Sequence, residues 1–288
     1  MRVAVIGSTG GWHAERLERA LSARGHEYAF APVTRMVGRI ASGFTVRSLE
    51  VALDACDVVV VRGIPRGSLE QIVFRVDTLH ALAAVGVRAV NGALAIEHTI
   101  DKYLASALLA AAGVPTPRTV ACERAEDALE AFDALGSDVI VKPIFGSMGF
   151  GITRVEDRDV AQRVFRALEI GRSVYYLQET LAHEGVDVRA LVVGDRVVGA
   201  IERVGTGWRT NLSRGAEPRP ITLDEPRARL CVHAAATLGA DYAGVDLLRA
   251  ADGRDYVIEV NGIPGWRGVE GATGVDVAAA LVDHLERA

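Results

Sequence analysis

The run Asp57-Val58-Val59-Val60-Val61 limits the fold more than any other segment. Four consecutive valines have no polar face, so a strand built from them is buried on both sides, as inside a parallel sheet covered by helices. The flanking sequence supplies such helices. A strand at 3–6 ends in the turn Gly7-Ser8-Thr9-Gly10-Gly11. Ala14, Leu17 and Leu21 then recur at helical spacing, with Glu15, Arg16, Glu18 and Arg19 between them. Arg24-Gly25-His26 closes that helix, a second strand follows at 27–32, 69–84 is helical and 87–91 is a fourth strand. Strands alternating with helices in this way predict an open α/β half-domain.

Downstream the pattern changes. A helix at 100–112 is ended by Gly113-Val114-Pro115, and a second helix spans 126–135. A strand at 138–143, a Gly-rich loop, a strand at 152–155 and a helix at 157–167 complete a small α+β unit. From Ser173 onward strands dominate. A hairpin is predicted over 186–203 around Gly194-Asp195, and a second over 242–260 around Asp252-Gly253, with helices at 226–238 and 275–287.

Composition narrows the function. The 288 residues carry 32 basic and 37 acidic side chains, a net charge of −5, with no block of like charges. That disfavours a basic stripe for nucleic acid. No apolar run approaches ~18 residues, so no membrane span is expected. Cys56, Cys122 and Cys231 are scattered without a CxxC spacing, which reads as free thiols in a reducing compartment, by default the cytoplasm. Only Lys102 and Lys142 of the 32 basic residues are lysines. Codon bias accounts for the arginines but not for two retained lysines. A compact ammonium and a planar guanidinium are not interchangeable where geometry is tight, so these two positions are candidates for chemistry.

Four constellations stand out. The turn Gly7-Ser8-Thr9-Gly10-Gly11-Trp12 does not fit G-x-G-x-x-G; it reads as a tight strand-to-helix turn, or as a place where a substrate anion docks. Gly146-Ser147-Met148-Gly149-Phe150-Gly151 follows a strand ending in Lys142-Pro143, and such a loop lets N–H groups approach a polyphosphate. Glu259 and Asn261 share a face of one strand, and a two-residue turn at Asp252-Gly253 would set Ala251 opposite Arg254 and Asp246 opposite Glu259. Facing carboxylates are destabilising unless neutralised, and this all-oxygen set suits a hard cation such as Mg²⁺. Finally, the Gly194-Asp195 turn would set Asp187 opposite Glu202, with Arg189, Arg203, Arg209 and Asn211 nearby, as phosphate ligands or as structural salt bridges. No catalytic triad and no histidine metal motif is present.

Together these segments resemble the ATP-grasp superfamily, specifically the RimK-type alpha-L-glutamate ligases. The resemblance runs in family order through Asn91-Gly92-Ala93, Asp101-Lys102-Tyr103, Gly113-Val114-Pro115, Val141-Lys142-Pro143 with the Gly-rich loop, Leu177-Gln178-Glu179, Asp187-Val188-Arg189, Arg209-Thr210-Asn211, Gly244-Val245-Asp246 and Ile258-Glu259-Val260-Asn261. Two segments depart from it: Thr180-Leu181 replaces a bulkier pair, and Ser213-Arg214-Gly215-Ala216 lacks a double glycine.

The resemblance implies an ATP-grasp fold with an N-terminal Rossmann-like domain at 1–95, a central lid subdomain at 96–175 and a C-terminal subdomain with the metal site at 176–288. It assigns Lys102, Lys142, Gly146, Ser147, Met148, Gly149, Gln178, Glu179, Asp187, Arg209 and Asn211 to ATP, with Gln178 and Glu179 at the adenine and ribose edge. Asp246, Glu259 and Asn261 fall on Mg²⁺, with Mn²⁺ as an alternative ion. Arg189 and Arg203 are the candidates for holding an acylphosphate or carboxylate. The implied reaction joins L-glutamate to an unidentified acceptor, with the Gly-rich loop excluding water. Trp12, His13, Arg62 and Arg66 follow strand ends of the α/β sheet and are the acceptor-side candidates; their wording resembles ligases linked to pterin one-carbon carriers. Homo-oligomers occur in such families. Competing readings are an amino-acid, dipeptide or protein C-terminus ligase, a nucleotide-binding regulator without turnover and, last, a scaffold.

Overall fold

In the computed structural model, which describes residues 1–146, 151–205 and 217–287, the α/β pattern of the N-terminal segment is observed. The segment runs β1 (Arg2–Ile6), α1 (Trp12–Ala23), β2 (Glu27–Ala31), β3 (Met36–Ile40), β4 (Phe44–Ser48), β5 (Val51–Ala52), β6 (Val58–Val61), α2 (Leu69–Ala84) and β7 (Arg88–Val90). β2-β1-β6-β7 form a parallel sheet. The valines of β6 are buried on both faces, as their composition requires. Val58 and Val60 pack on the α1 side, while Val59 and Val61 pack with Val76, Leu79 and Leu82 of α2. α2 begins with a capping box, Ser68 and Gln71 each bonding the other's backbone N–H. β3, β4 and β5 form a separate antiparallel ribbon. Sequence periodicity does not reveal it, because β3 buries Met36 alone and so shows no alternation.

The helix expected at 100–112 is observed as α4 (Lys102–Ala111), and a helix the sequence reading did not expect, α3 (Ala93–Ile100), precedes it. Asp101 breaks the run, its carboxylate accepting the Leu104 N–H at 3.0 Å as the N-cap of α4. Lys102 thereby becomes the first residue of a helix. Next come β8 (Thr119–Cys122), α5 (Ala125–Ala134), β9 (Val139–Lys142), β10 (Thr153–Val155), α6 (Arg158–Ile170) and β11 (Tyr175–Glu179). Their strands form an antiparallel sheet in the order β10-β9-β11-β8. Val139, Val141 and Leu177 face a core with Phe132 and Phe165. By strand alternation Ile140, Lys142 and Gln178 face the other way, toward the site.

The last segment contains β12 (Val186–Val193), β13 (Arg196–Val204), β14 (Glu217–Ile221), α7 (Glu225–Thr237), β15 (Tyr242–Arg249), β16 (Asp255–Asn261), α8 (Arg267–Thr273) and α9 (Val277–Glu286). The sheet order is β14-β13-β12-β15-β16. One face packs Ala190, Val192 and Val245 against α7. The other packs Leu191, Val193 and Tyr242 into the core that also holds Val3, Val5, Leu17 and α9. The two ends of the chain therefore share one core. Buried Asn91 fastens them, its Nδ2 donating to the Tyr242 and Gly262 carbonyls at 2.8 and 2.5 Å and its Oδ1 accepting the Tyr242 N–H at 3.1 Å. Among the described residues no helix is long and apolar enough to cross a membrane.

Register differs from the turn arithmetic in both hairpins. In β12–β13 the pairing shifts between Leu191 and Val192, so Asp187 lies opposite Arg203 and not opposite Glu202. One extra residue, Val198, causes the shift. In β15–β16 Asp246 does lie opposite Glu259, but Ala250 pairs with Arg254 across a three-residue loop, so Ala251 does not. A bulge at Ile258 then restores the expected register beyond it.

Candidate active site

The cleft between the central and C-terminal sheets brings both lysines together. Lys102 Nζ donates to the Gly146 carbonyl at 2.6 Å and lies 3.9 Å from Glu259. Lys142 Nζ donates to Gln178 Oε1 at 2.5 Å. Gln178 is held in turn, its Nε2 donating to Thr119 Oγ1 at 3.1 Å and to Tyr176 Oη at 3.4 Å, while Tyr176 Oη bonds Ser106 of α4 at 2.8 Å. Sequence reasoning missed Thr119, Tyr176 and Ser106. Tyr176 was accessible to it, since it shares a strand face with Gln178.

Burial pushes the Lys142 ammonium down to about 8, with Glu259 and Asp246 opposing that shift and Lys102 adding to it. The Gln178 carboxamide therefore orients Lys142. Glu179, next along β11, is held by Arg118, whose Nε and backbone N–H reach its carboxylate at 2.6 and 2.8 Å. Ile140, Ile152, Leu248 and Ile258 give the cleft apolar walls. Alternation in 139–142 places Ile140 on the Lys142 face and is the signal that finds it.

The carboxylate end of the cleft is built across four strands, β12, β13, β15 and β16. Asp246 and Glu259 are direct cross-strand partners, and Asn261 Oδ1 accepts the Ile263 N–H at 2.9 Å. Arg189 Nη1 donates to Asp246 Oδ1 at 2.7 Å, and Arg203 Nη2 approaches Asp246 Oδ2 at 3.1 Å. Arg203 also forms two bonds to Asp187, at 2.6 and 2.5 Å. The one-residue bulge thus converts an expected acid–acid pair into a bidentate ion pair. Burial opposes ionisation of Asp246, but Arg189 and Arg203 outweigh it and hold the carboxyl below its ordinary value. Arg203 is likewise kept charged, Asp246 and Asp187 outweighing its burial. Arg189 and Arg203 thus neutralise the acid cluster in this structure.

The donor set fits Mg²⁺. Its oxygens are two carboxylates and an amide, and no group of three His, Cys, Asp or Glu side chains suited to a metal occurs among the described residues. A cation here would take its remaining ligands from phosphate and water, which is how Mg²⁺ is ordinarily held. Ser147, Met148 and Gly149, and likewise Arg209 and Asn211, lie outside the described residues.

The acceptor-side candidates lie at the seam between the parallel sheet and the loop after β16. His13 Nε2 accepts the Trp266 N–H at 3.1 Å, and its ring sits edge-on to Trp12 and Trp266. Arg62 follows β6, donating Nη1 to the Tyr242 hydroxyl at 3.1 Å. Arg66 is exposed in the loop before α2.

The model of the RimK-like ATP-grasp domain matches residues 99–285. A tetrahydromethanopterin:alpha-L-glutamate ligase of Methanosarcina acetivorans is 33% identical over 82% of this chain and 82% of its own. A probable alpha-L-glutamate ligase of Serratia proteamaculans is 32% identical over 100% of this chain and 96% of its own. Among solved structures, the ATP-grasp ligase PsnB complexed with a minimal precursor superposes with a TM-score of 0.78 at 26% identity, covering 99% of this chain and 97% of PsnB. The chain belongs to the RimK-like ATP-grasp family. Its fold is the ATP-grasp fold, and by its family it is an ATP-grasp ligase.

Proposed function

We propose that this ligase uses ATP and Mg²⁺ to join the amino group of L-glutamate to a carboxylate of a small-molecule or cofactor acceptor. The convergence of Lys102, Lys142, Asp246 and Glu259 on one cleft carries the reading. Names of relatives that are glutamate ligases support the donor, and one of those names supports a pterin-type acceptor.

In this reading Lys142, oriented by Gln178, and Lys102 hold ATP phosphates, to which the family resemblance also assigns Gly146, Ser147, Met148 and Gly149. Glu179 meets the ribose edge, and Ile140, Leu248 and Ile258 flank the base. Asp187 belongs to the nucleotide site in the same reading, and the family resemblance assigns Arg209 and Asn211 to it as well. Asp246, Glu259 and Asn261 would hold Mg²⁺, which when bound supplies charge neutralisation at the phosphates; Mn²⁺ suits the same oxygens. Arg189 and Arg203 hold Asp246 ionised and lie where a carboxylate or acylphosphate would need positive charge.

An acceptor carboxylate oxygen attacks the γ-phosphorus, and the bond to the β-phosphate oxygen breaks, giving an acylphosphate and ADP. The amine of glutamate then attacks the acyl carbon, phosphate leaves, and the nitrogen loses a proton. The protein's work is positioning and charge neutralisation, so no protein nucleophile is required.

A peptide acceptor is the second reading, favoured by the likeness to PsnB bound to its precursor. The test is mass spectrometry of a cell extract incubated with pure protein, ATP, Mg²⁺ and isotope-labelled glutamate. A labelled species heavier by glutamyl units is expected, and its mass separates cofactor from peptide. ADP release with other amino acids but no labelled glutamyl product would discard glutamate. Absence of both would favour a nucleotide-binding regulator.

A further inference from the structure

Ser106 is out of keeping with its helix. From 104 to 111 the chain is leucine and alanine at every other position. Alanine is the better helix former, so a serine there needs another reason. Its Oγ lies 2.8 Å from the hydroxyl of Tyr176, a side chain only 2% exposed. A buried phenol ordinarily finds a partner, and burial raises the pKa of this one, so it stays a neutral hydroxyl at working pH.

Lys142 fixes the direction of this bond. An ammonium can only donate, so Gln178 turns its carboxamide oxygen to Lys142 Nζ and its Nε2 hydrogens to Thr119 Oγ1 and Tyr176 Oη. The phenol accepts from Gln178 and gives its own hydrogen to Ser106 Oγ.

The same bond joins two bodies of the molecule. Tyr176 is the cross-strand partner of Lys142, and its neighbours Tyr175 and Leu177 point into the core with Phe132 and Phe165. Ser106 lies one turn along α4 from Lys102, on the same face. Ala105 and Leu109 of that helix belong to a different core, with Val245 and Val257. One lysine therefore rides on each body, and the hydroxyl pair crosses between them. Lys102 Nζ also crosses, to the Gly146 carbonyl at 2.6 Å, but with the ammonium that a phosphate would take. The hydroxyl pair uses neither ammonium and stays available when both are on phosphate. Charge-assisted bonds hold best at about 2.7–2.9 Å, so a polyphosphate held by two ammoniums is sensitive to their separation. A nucleoside, which has no phosphate, is not.

We propose that Tyr176 and Ser106 are positioning residues whose hydroxyl bond sets the spacing of Lys102 and Lys142, and with it the preference of the cleft for a nucleoside polyphosphate over a nucleoside. The proposal rests on the reading above that both lysines hold ATP phosphates.

The experiment measures binding of ATP with Mg²⁺, and of adenosine, by calorimetry to wild type, Ser106→Ala, Tyr176→Phe and the double variant. Each single variant is expected to bind ATP about fivefold more weakly, the size of one hydrogen bond, with adenosine affinity unchanged. The double variant should be no weaker than either single one, because both remove the same bond. A melting curve accompanies each variant, and the half-buried Ser106 decides if Tyr176→Phe is unfolded. A lowered melting temperature with wild-type affinity for ATP would make the bond structural only and overturn the proposal. An equal loss for adenosine would also overturn it, since the pair would then act through the base. Additive losses would do the same, since the two hydroxyls would then act separately. Wild type that binds ATP no more tightly than adenosine would sink the phosphate reading of the lysines, and the proposal with it.

Discussion

At Lys142 burial, charge and a hydrogen bond meet. The ammonium lies part-buried in the cleft with Gln178 Oε1 at 2.5 Å, and a planar guanidinium on a longer side chain does not reproduce that bond. Lys142→Arg is therefore expected to lower kcat/KM for ATP on the order of a hundredfold, about 2.7 kcal/mol of transition-state stabilisation; near-normal kinetics would remove Lys142 from the site. Its titration gives a second prediction. In the nucleotide-free protein the ammonium deprotonates at about 8, and a polyphosphate binds the charged form more tightly. Below pH 7 the affinity for ATP should be flat with respect to this group. As pH rises through 8 it should weaken, by at most about tenfold per pH unit, and binding should take up a proton. Calorimetry at pH 8.5 in buffers of different ionisation heat reads that uptake, which Lys142→Met should abolish. Both lysines were legible in the sequence because their rarity marks them. The role of Gln178 was not, because only strand pairing sets its carboxamide beside Lys142.

Among the elements, pairing of β12 with β15 makes the carboxylate site. Arg189 lies opposite Asp246 in this register, and its guanidinium crosses the backbone of Gly244. A Cβ at Gly244 would come within 2.5 Å of Arg189 Cζ, too close for any side chain. Gly244→Ala should push Arg189 off Asp246, leaving a buried carboxylate with one cation fewer, at a cost of about 3 kcal/mol in denaturant unfolding. The loss should be largely absent when the same substitution is made in Arg189→Gln, a coupling that a double-mutant cycle reads. Additive losses would show that Gly244 acts through something else. The elements themselves were mostly legible, and α2 spans 69–84 as its apolar spacing predicts. Register was legible only by accident. Hydrophobic alternation says which face a residue takes, whereas loop length and bulges say which residue it meets. In β15–β16 a three-residue loop and the Ile258 bulge compensate, so Asp246 meets Glu259. In β12–β13 the Val198 bulge has no such counterpart, and Asp187 meets Arg203.

For the whole molecule, the core joining the two ends of the chain sets how it unfolds. Periodicity marks Val3, Val5 and Leu17 as buried but cannot say that α9 helps to cover them. In the structure Val277, Leu281, Val282 and Leu285 of α9 sit in the same core as those residues. Arg24, the residue that follows α1, bonds the Ala279 carbonyl and Asp283, and Arg88 Nη1 donates to the Leu285 carbonyl at 3.2 Å. Burying four such apolar side chains contributes roughly 6–12 kcal/mol, at about 1.5–3 each. That is comparable with the whole stability of a domain, about 5–15 kcal/mol. A chain ending at Gly274 is therefore expected to lose cooperative melting in the N-terminal sheet as well as in the C-terminal one. Hydrogen exchange should show it most plainly, with β1 and β6 amides exchanging as fast as those of β12 although β1 and β6 are remote from the deletion in sequence. The matching control is Asp283→Asn, which breaks the partly exposed Arg24 pair and should cost no more than about 1 kcal/mol. If the truncated chain kept β1 protected while β12 opened, the N-terminal sheet would have a core of its own, and α9 would merely cover it.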